Sequence, residues 1–301
     1  MQESSLYGNI FLHEKMQRIC LSVTSMHMMH KVFRDQTGRM VQIPFPPTRI
    51  ISLVPSQTEW LYDLGLEEEV IGITRFCVHP QKWFHTKTRV GGTKQLHLEK
   101  IRQLQPHLIL ANKEENEKAQ LEQLMQEFPV WISDIHTFTE ALDMMQIVGR
   151  MTNRESKAIE IIHQITTAFD HLQTYITTLK ANYNPRAAYF IWYNPWMVAA
   201  SNTFIDDMLQ RCRLQNAFTH LTRYPQITES DIQRANPDII LLSSEPFPFK
   251  PKHQQLLQTI LPHAKYYFVD GEMFAWYGSR LLYAADYCRK LIEKIFCKSN
   301  L

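Results

Sequence analysis

Apolar residues between Glu155 and Leu179 recur at gaps of three and four: Ala158, Ile161, Ile162, Ile165, Ala168, Phe169, Leu172, Tyr175, Ile176 and Leu179. That spacing paints one face of an α-helix. No Gly or Pro interrupts it, Asn153 is placed to cap its start, and the run Asn182 to Pro185 ends it. A rod of about 25 residues is about 37 Å long, well beyond the average globular helix of about 11–12 residues. It lies mid-chain, as a core helix, a coiled-coil arm, or a rigid spine between two lobes.

On either side of this run the pattern alternates between short apolar runs and helical periods. Val32 to Pro44 predicts a hairpin around Asp35-Gln36-Thr37-Gly38. Strands are expected at Arg49–Val54, Val70–Thr74, His107–Ala111 and Val130–Ile132. Helices are expected from Pro55 to Leu64, Glu99 to Leu104, Asn116 to Phe128 and Thr137 to Arg150. Ser56 with Glu59, and Thr137 with Glu140, have capping-box spacing. After the long run the order restarts. Strands are expected at Arg186–Trp192, Asp238–Leu242 and Tyr266–Val269, and helices at Phe204–Arg211, Thr228–Ala235, His253–Leu261 and Ser279–Phe296. Such alternation predicts parallel sheets covered on both faces. The expected division is an extension at 1–31, a first α/β lobe at 32–152, a helix at 153–182 and a second α/β lobe at 183–301.

Lys100-Ile-Arg-Gln-Leu-Gln-Pro-His-Leu-Ile-Leu110 repeats in outline as Asp231-Ile-Gln-Arg-Ala-Asn-Pro-Asp-Ile-Ile-Leu241, and Glu114 and Glu245 follow at the same offset. Each copy reads as a short helix, a proline turn and a buried strand. Their placement on opposite sides of the long helix supports two related lobes.

Composition narrows the function classes. Of 301 residues, 45% are apolar and 21% charged, as in an ordinary globular protein. A net charge of +2, with no basic run, supplies no electrostatic footprint for nucleic acid. The five cysteines (Cys20, Cys77, Cys212, Cys288 and Cys297) are odd in number and form no C-x-x-C pair, which points to free thiols in a reducing compartment. No stretch is apolar enough to span a membrane. Ile19–Val23 is too short for a signal core and is followed by His27 and His30. The chain as written is expected to be cytoplasmic, or periplasmic if its true start lies upstream.

Ligands of open α/β sheets gather beyond the strands' carboxyl ends. Here those ends carry Ser56 and Gln57; Arg75, Phe76 and Cys77; Lys113 and Glu114; Trp192 and Tyr193; Glu245 and Phe247; and Glu272, Phe274, Trp276 and Tyr277. The set is rich in aromatics and poor in catalytic groups, which suits a large, flat, partly apolar ligand. Each aromatic fits packing in the inter-lobe core equally well. The 13 histidines make no H-x-H or H-E-x-x-H motif. Ser56 lacks a G-x-S-x-G elbow, and Gly91-Gly92 is too short to cradle phosphate. Cys77, beside Arg75, is open to reading as a lowered-pKa thiol, an axial ligand or an inert thiol. His79 and His97 are the histidines within reach of the cleft. Two alternatives remain beside a binding protein. One is a chelatase-like enzyme or chaperone using His79 with Glu114 or Glu245. The other is a metal-ion receptor using His79, Cys77, Glu245 and Glu272.

Several motifs in order carry a resemblance: Asp35-Gln-Thr-Gly38, Arg49-Ile-Ile-Ser-Leu-Val-Pro-Ser-Gln-Thr-Glu59, Val70-Ile-Gly-Ile-Thr74, Val90-Gly-Gly-Thr93, Leu98-Glu-Lys-Ile101 with Pro106-His-Leu-Ile-Leu110, and Asn236-Pro-Asp-Ile-Ile-Leu241. Over about Val32 to Phe296 the chain resembles class III, helical-backbone substrate-binding proteins of ABC importers, most nearly the cobalamin-receptor branch. The resemblance implies two Rossmann-like α/β lobes joined by one long backbone α-helix, with the ligand clamped between them. It implies no catalysis and no required cofactor; the ligand would be a corrinoid such as cobalamin, haem or a ferric siderophore. The family's cleft aromatic falls on Phe76, and Thr93 stands where the cobalamin receptor has an aromatic. Trp276 or Phe274 matches the capping aromatic of the second lobe. The acids that dock onto the permease fall on Glu99 and beside Ser230, on Glu229 and Asp231. Phe76, Trp192, Trp276 and Tyr277 are expected to stack on the ligand, with Arg75, Lys94, Lys113, Glu245 and Glu272 at its polar edges. The expected partners are a small-molecule metal chelate and an ABC permease, with the chain acting as a monomer.

Overall fold

The computed structural model describes residues 29–179 and 184–296. The expected stop at Asn182, Cys20, Cys297 and nearly all of the N-terminal extension lie outside them. The first element is the antiparallel hairpin β1 (His30–Arg34) and β2 (Met40–Pro44). Asp35 holds its turn by accepting from the backbone amides of Thr37 and Arg39 (3.0 and 2.9 Å), while Gly38 supplies the positive φ of +93°.

A five-stranded parallel sheet follows, with β3 (Ile50–Ser52), β4 (Val70–Ile73), β5 (Thr88–Arg89), β6 (Leu108–Asn112) and β7 (Val130–Ser133) in the order β5-β4-β3-β6-β7. Helices α1 (Pro55–Asp63), α2 (Gln81–Thr86), α3 (Leu98–Leu104), α4 (Lys118–Met125) and α5 (Phe138–Met151) connect and cover it. Thr137 and Glu140 form the expected reciprocal cap of α5. Ser56 does not cap α1. That helix already begins at Pro55, so Ser56 falls inside its first turn, buried, and Glu59 is committed elsewhere.

The long apolar period becomes α6 (Glu155–Thr178), 24 unbroken residues. Its buried face is Ala158, Ile161, Ile165, Phe169, Leu172 and Ile176. Asn153 does not cap it: Arg154 occupies the cap position, and Asn153 takes φ +58° in the tight turn out of α5. Gly149 makes the close approach of the two helices possible, because a Cβ there would lie 2.4 Å from the Ala158 Cβ. Gly149→Ala is expected to destabilise by about 1–3 kcal/mol despite its better helix propensity. Urea unfolding checks this, and pairing it with Ala158→Gly is expected to restore part of the loss.

The second lobe contains β8 (Arg186–Trp192), β9 (Trp196–Val198), β10 (Gln215–Asn216), β11 (Gln226–Ile227), β12 (Ile239–Ser243) and β13 (Lys265–Val269). Its helices are α7 (Phe204–Arg211), α8 (Glu229–Ala235), α9 (Pro251–Ile260), α10 (Glu272–Ala275) and α11 (Leu281–Phe296). The order is β11-β9-β8-β12-β13, with β10 beside the start of β8. β8, β12 and β13 run parallel, while β9 and β11 add antiparallel turns at the edge. The lobes therefore differ there, yet the internal repeat holds in geometry. Helix α3 ends at Gln105 (φ 43°, ψ 63°) and α8 at Asn236 (φ 45°, ψ 58°), both left-handed caps followed by proline and then by β6 or β12.

Helix α6 packs on α5 on one side and on α11 on the other. One apolar cluster runs through it from Ile50, Leu108 and Trp131 of the first lobe to Tyr189, Leu241 and Ile292 of the second. Two further clusters fill the opposite sheet faces. Burial of the long helix thus couples the two sheets into one core. Among the described residues no helix is long and apolar enough to cross a membrane.

Candidate functional site

The carboxyl ends of both parallel sheets meet. Arg280, just ahead of α11, donates through Nε and Nη2 to both oxygens of Glu59 on α1 (2.9 and 2.6 Å). Its Nη1 lies 3.0 Å from Glu272 of α10. His79, in the loop after β4, reaches the same Glu272 at 3.3 Å and lies edge-on to Trp276, ring centroids 5.6 Å apart. The Trp276 indole N–H donates to Glu245, after β12, at 2.8 Å. A second bridge joins Arg223 to Glu114, after β6, and to His136 (3.0 Å), which in turn meets Asp134, after β7, at 3.0 Å. Fork-shaped, partly buried pairs of this kind fix geometry strongly.

Aromatic surface flanks this bridged floor. Phe76 is 48% exposed, with the Arg75 guanidinium 5.0 Å from its ring centre. Gly92 leaves them room: a Cβ there would lie 3.1 Å from both side chains. On the other lobe Trp192 is 40% exposed and stands edge-on to Phe247 at 5.6 Å. The Phe76–His79 loop thus meets Trp276, and through it Glu245, by way of His79, while Trp192 and Phe247 form a second aromatic pair after β8 and β12. Thr93 is half-buried beside Phe76's loop, and Lys94 is exposed, its ammonium donating to the Glu114 carbonyl at 2.7 Å.

Other expected site residues are placed differently. Phe274 has no exposed surface and packs between Tyr189 and Tyr287, so it belongs to the core. Cys77 is fully buried against the Thr58 and Thr74 hydroxyls (3.0 and 3.2 Å), and burial pushes its thiol up to about 11. It is neither a reactive thiolate nor within reach of a ligand. Tyr277 is buried, its hydroxyl beside Ser56 and Ser133 of the first lobe, and burial holds its ionisation well above the ordinary range. Gln57 is buried and donates to Ser133 (2.6 Å). Tyr193 packs on Trp196 and His253, with Phe247 against the same group. Lys113 is spent on Asp134 at 2.5 Å. His97 is exposed at the start of α3.

The pairing a chelatase reading requires is not formed: His79 faces Glu272, which Arg280 also holds, while Glu114 is held by Arg223. Among the described residues no group of three or more His, Cys, Asp or Glu side chains could hold a metal ion. A polar cavity of about 310 Å³ lies along the outer side of α5, lined by Gln36, Asp134, Glu140, Asp143, Gln146, Ile147 and Arg150. It offers no aromatic surface and touches the sheet junction only through Asp134.

Sequence reasoning missed Glu59, Arg280, Arg223 and Glu115. Glu115 follows β6 and has no hydrogen bond or ion pair for its carboxyl among the described residues; burial first, then the Glu245 charge, push it up to about 7. Glu245 also rises to about 7, through burial and then the charge of Glu272. A carboxyl whose folded pKa exceeds its unfolded value of 4.5 binds the extra proton in the folded state. Its contribution is complete below about 4.5 and is lost as pH rises through about 7. Glu115→Gln combined with Glu245→Gln is therefore expected to match the native protein near pH 4. At pH 8 it should exceed the native protein by about 1–3 kcal/mol, read by thermal unfolding at both pH values.

Two α/β lobes, braced by one long helix and meeting at their strand ends, define the class of two-lobed binding proteins. The chain belongs to the periplasmic binding protein family, whose pattern matches residues 50–265. The family comprises non-catalytic binding components of ABC importers, which implies an ABC permease as partner. The uncharacterized ABC transporter substrate-binding lipoprotein YvrC of Bacillus subtilis is 25% identical over 272 residues, covering 87% of this chain and 84% of that protein. The vitamin B12-binding protein of Vibrio cholerae is 25% identical over 209 residues, 69% of this chain and 74% of its own. Among solved structures, periplasmic vitamin B12-binding protein BtuF of Vibrio cholerae superposes with a TM-score of 0.73 at 22% identity, over 85% of this chain and 100% of that one. A periplasmic haem-binding protein of Pseudomonas aeruginosa gives 0.71 at 19% identity, over 83% and 93%.

Proposed function

We propose that the chain is the substrate-binding component for a flat, bulky metal chelate, most nearly a corrinoid, held where the two sheets' carboxyl ends meet. The observation that carries this reading is the pair of large aromatics left exposed on opposite lobes, Phe76 in the loop after β4 and Trp192 at the end of β8, each on the carboxyl side of its sheet. An exposed ring beside a guanidinium, and another beside a second ring, suit stacking on a flat ligand. Arg75, Thr93, Lys94, Glu245 and Glu272 would meet the ligand's edge. The B12-binding relatives favour a corrinoid, and the haem-binding neighbour keeps a porphyrin open. Fluorescence titration of the tryptophans with cobalamin, cobinamide and haem tests the reading. Saturable quenching by at least one ring, at one site per chain, is expected; no saturation with any of them would refute it.

Docking to a permease is assigned to Glu99 and Glu229. Glu99 keeps 80% of its side chain exposed while pairing with Arg102, and Glu229 is exposed at the start of α8. Asp231 is already spent on the Thr228 cap and on Arg234, so it is the weaker candidate. Action beside an importer also assigns the chain to the outer side of the membrane, which fractionation of the native host checks.

A further inference from the structure

Among the described residues most acids around the proposed site meet a cation, while the Arg75 guanidinium meets only the Phe76 ring. Glu59 and Glu272 share Arg280, Glu272 also meets His79, Glu114 meets Arg223, and Asp134 meets Lys113 and His136. Three carboxyls of the described residues at these strand ends are left without a cation: Glu115 from the first lobe, and Glu245 and Asp270 from the second, of which Asp270 is bonded by the Glu272 backbone amide at 3.1 Å. Glu245 accepts only the neutral Trp276 indole N–H, and Glu272 and Asp270 repel its charge, with Arg280 opposing them more weakly. Glu115 has no bonded partner among the described residues, and the nearest cation, Lys94, spends its ammonium on a backbone carbonyl. The Glu245 charge raises the proton affinity of Glu115 across the junction, and Tyr277, Tyr224 and Cys77 also feel the Glu115 charge.

An ionised carboxylate only accepts hydrogen bonds, and a second anion brought beside it in a half-buried place is repelled. Glu115 and Glu245, left without a cation, cost stability that an incoming donor offsets. We propose that Glu115 and Glu245 set the chemical class of the ligand: a ring whose rim presents N–H donors or positive charge, in preference to one whose rim presents carboxylates. The raised proton affinity of both acids agrees with an unmet demand for a donor. This inference rests on the reading of the junction as the ligand site.

Cobinamide and cobyrinic acid test it, both as dicyano forms, because they share the corrin ring and differ chiefly in carrying rim amides or rim carboxylates. Titrated against the full chain at pH 8, cobinamide is expected to bind at least tenfold more tightly. In Glu115→Gln/Glu245→Gln the ratio is expected to fall below threefold, chiefly because cobyrinic acid gains. Trp192→Ala is expected to weaken both rings alike and keep the ratio. Equal affinities in the native protein, or an unchanged ratio in the double glutamine variant, would overturn the inference while the binding-site reading stands. Saturable binding of neither corrin, with haem still bound, would overturn the inference and the corrinoid assignment but leave the site. If no ring binds, the site reading falls and the inference with it.

Discussion

Arg280→Met is expected to lower the free energy of unfolding by about 3–5 kcal/mol at pH 8. The guanidinium is 11% exposed and serves carboxylates from both lobes, Glu59 at 15% and Glu272 at 21% exposure. Removing it leaves two negative groups with His79 as the neighbouring imidazole, 3.3 Å from Glu272 and also felt by Glu59. Burial already lifts the Glu59 carboxyl above its ordinary range, against the pull of Arg280. Without Arg280 that lift grows, so the loss should be greatest at high pH and shrink towards pH 5 as the carboxyls take up protons. Urea unfolding at both pH values measures it, and adding Glu59→Gln is expected to recover part of the loss at pH 8. A loss below about 1 kcal/mol at pH 8 would show that the bridge behaves as an exposed surface pair.

The second large effect is on binding. Phe76→Ala and Trp192→Ala are each expected to weaken a saturating ring ligand by about tenfold to a hundredfold, the range of a central aromatic contact. Stability should change little, because both rings are substantially exposed and neither fills the core. That contrast separates a ligand contact from a packing residue. Phe274→Ala should do the reverse, since its ring is fully buried between Tyr189 and Tyr287. Titration and thermal unfolding of the three variants distinguish the patterns. Unchanged affinity in both Phe76→Ala and Trp192→Ala would remove the aromatic grip.

What was legible in the chain follows from what is local. The period of α6 runs for nearly seven turns without a breaker, so its extent could be read almost to the residue. The α3–β6 and α8–β12 units were visible because a left-handed cap, a proline and an apolar run leave a local signature. Strands of two or three residues, such as β9 and β11, carry no period, and the antiparallel edge of the second lobe went unseen. The site was harder for the same reason. Alternation indicates which residues lie at strand ends, but not which of them face the other lobe. Glu59 fitted a helix-capping spacing with Ser56, while its actual partner, Arg280, is 221 residues away. Phe76, Trp192 and Phe274 were indistinguishable by residue type, and only packing separates the two exposed rings from the buried one. Glu115 has no motif at all and stands out only by lacking a partner.

The most direct measurement is a crystal structure of the chain saturated with cobinamide. The corrin ring is expected in the junction of the two lobes, in contact with Phe76 and Trp192, with the Arg280–Glu59 and Arg223–Glu114 bridges intact. A ring seated in the polar cavity beside α5, or anywhere that leaves both of those aromatics uncovered, would contradict the account.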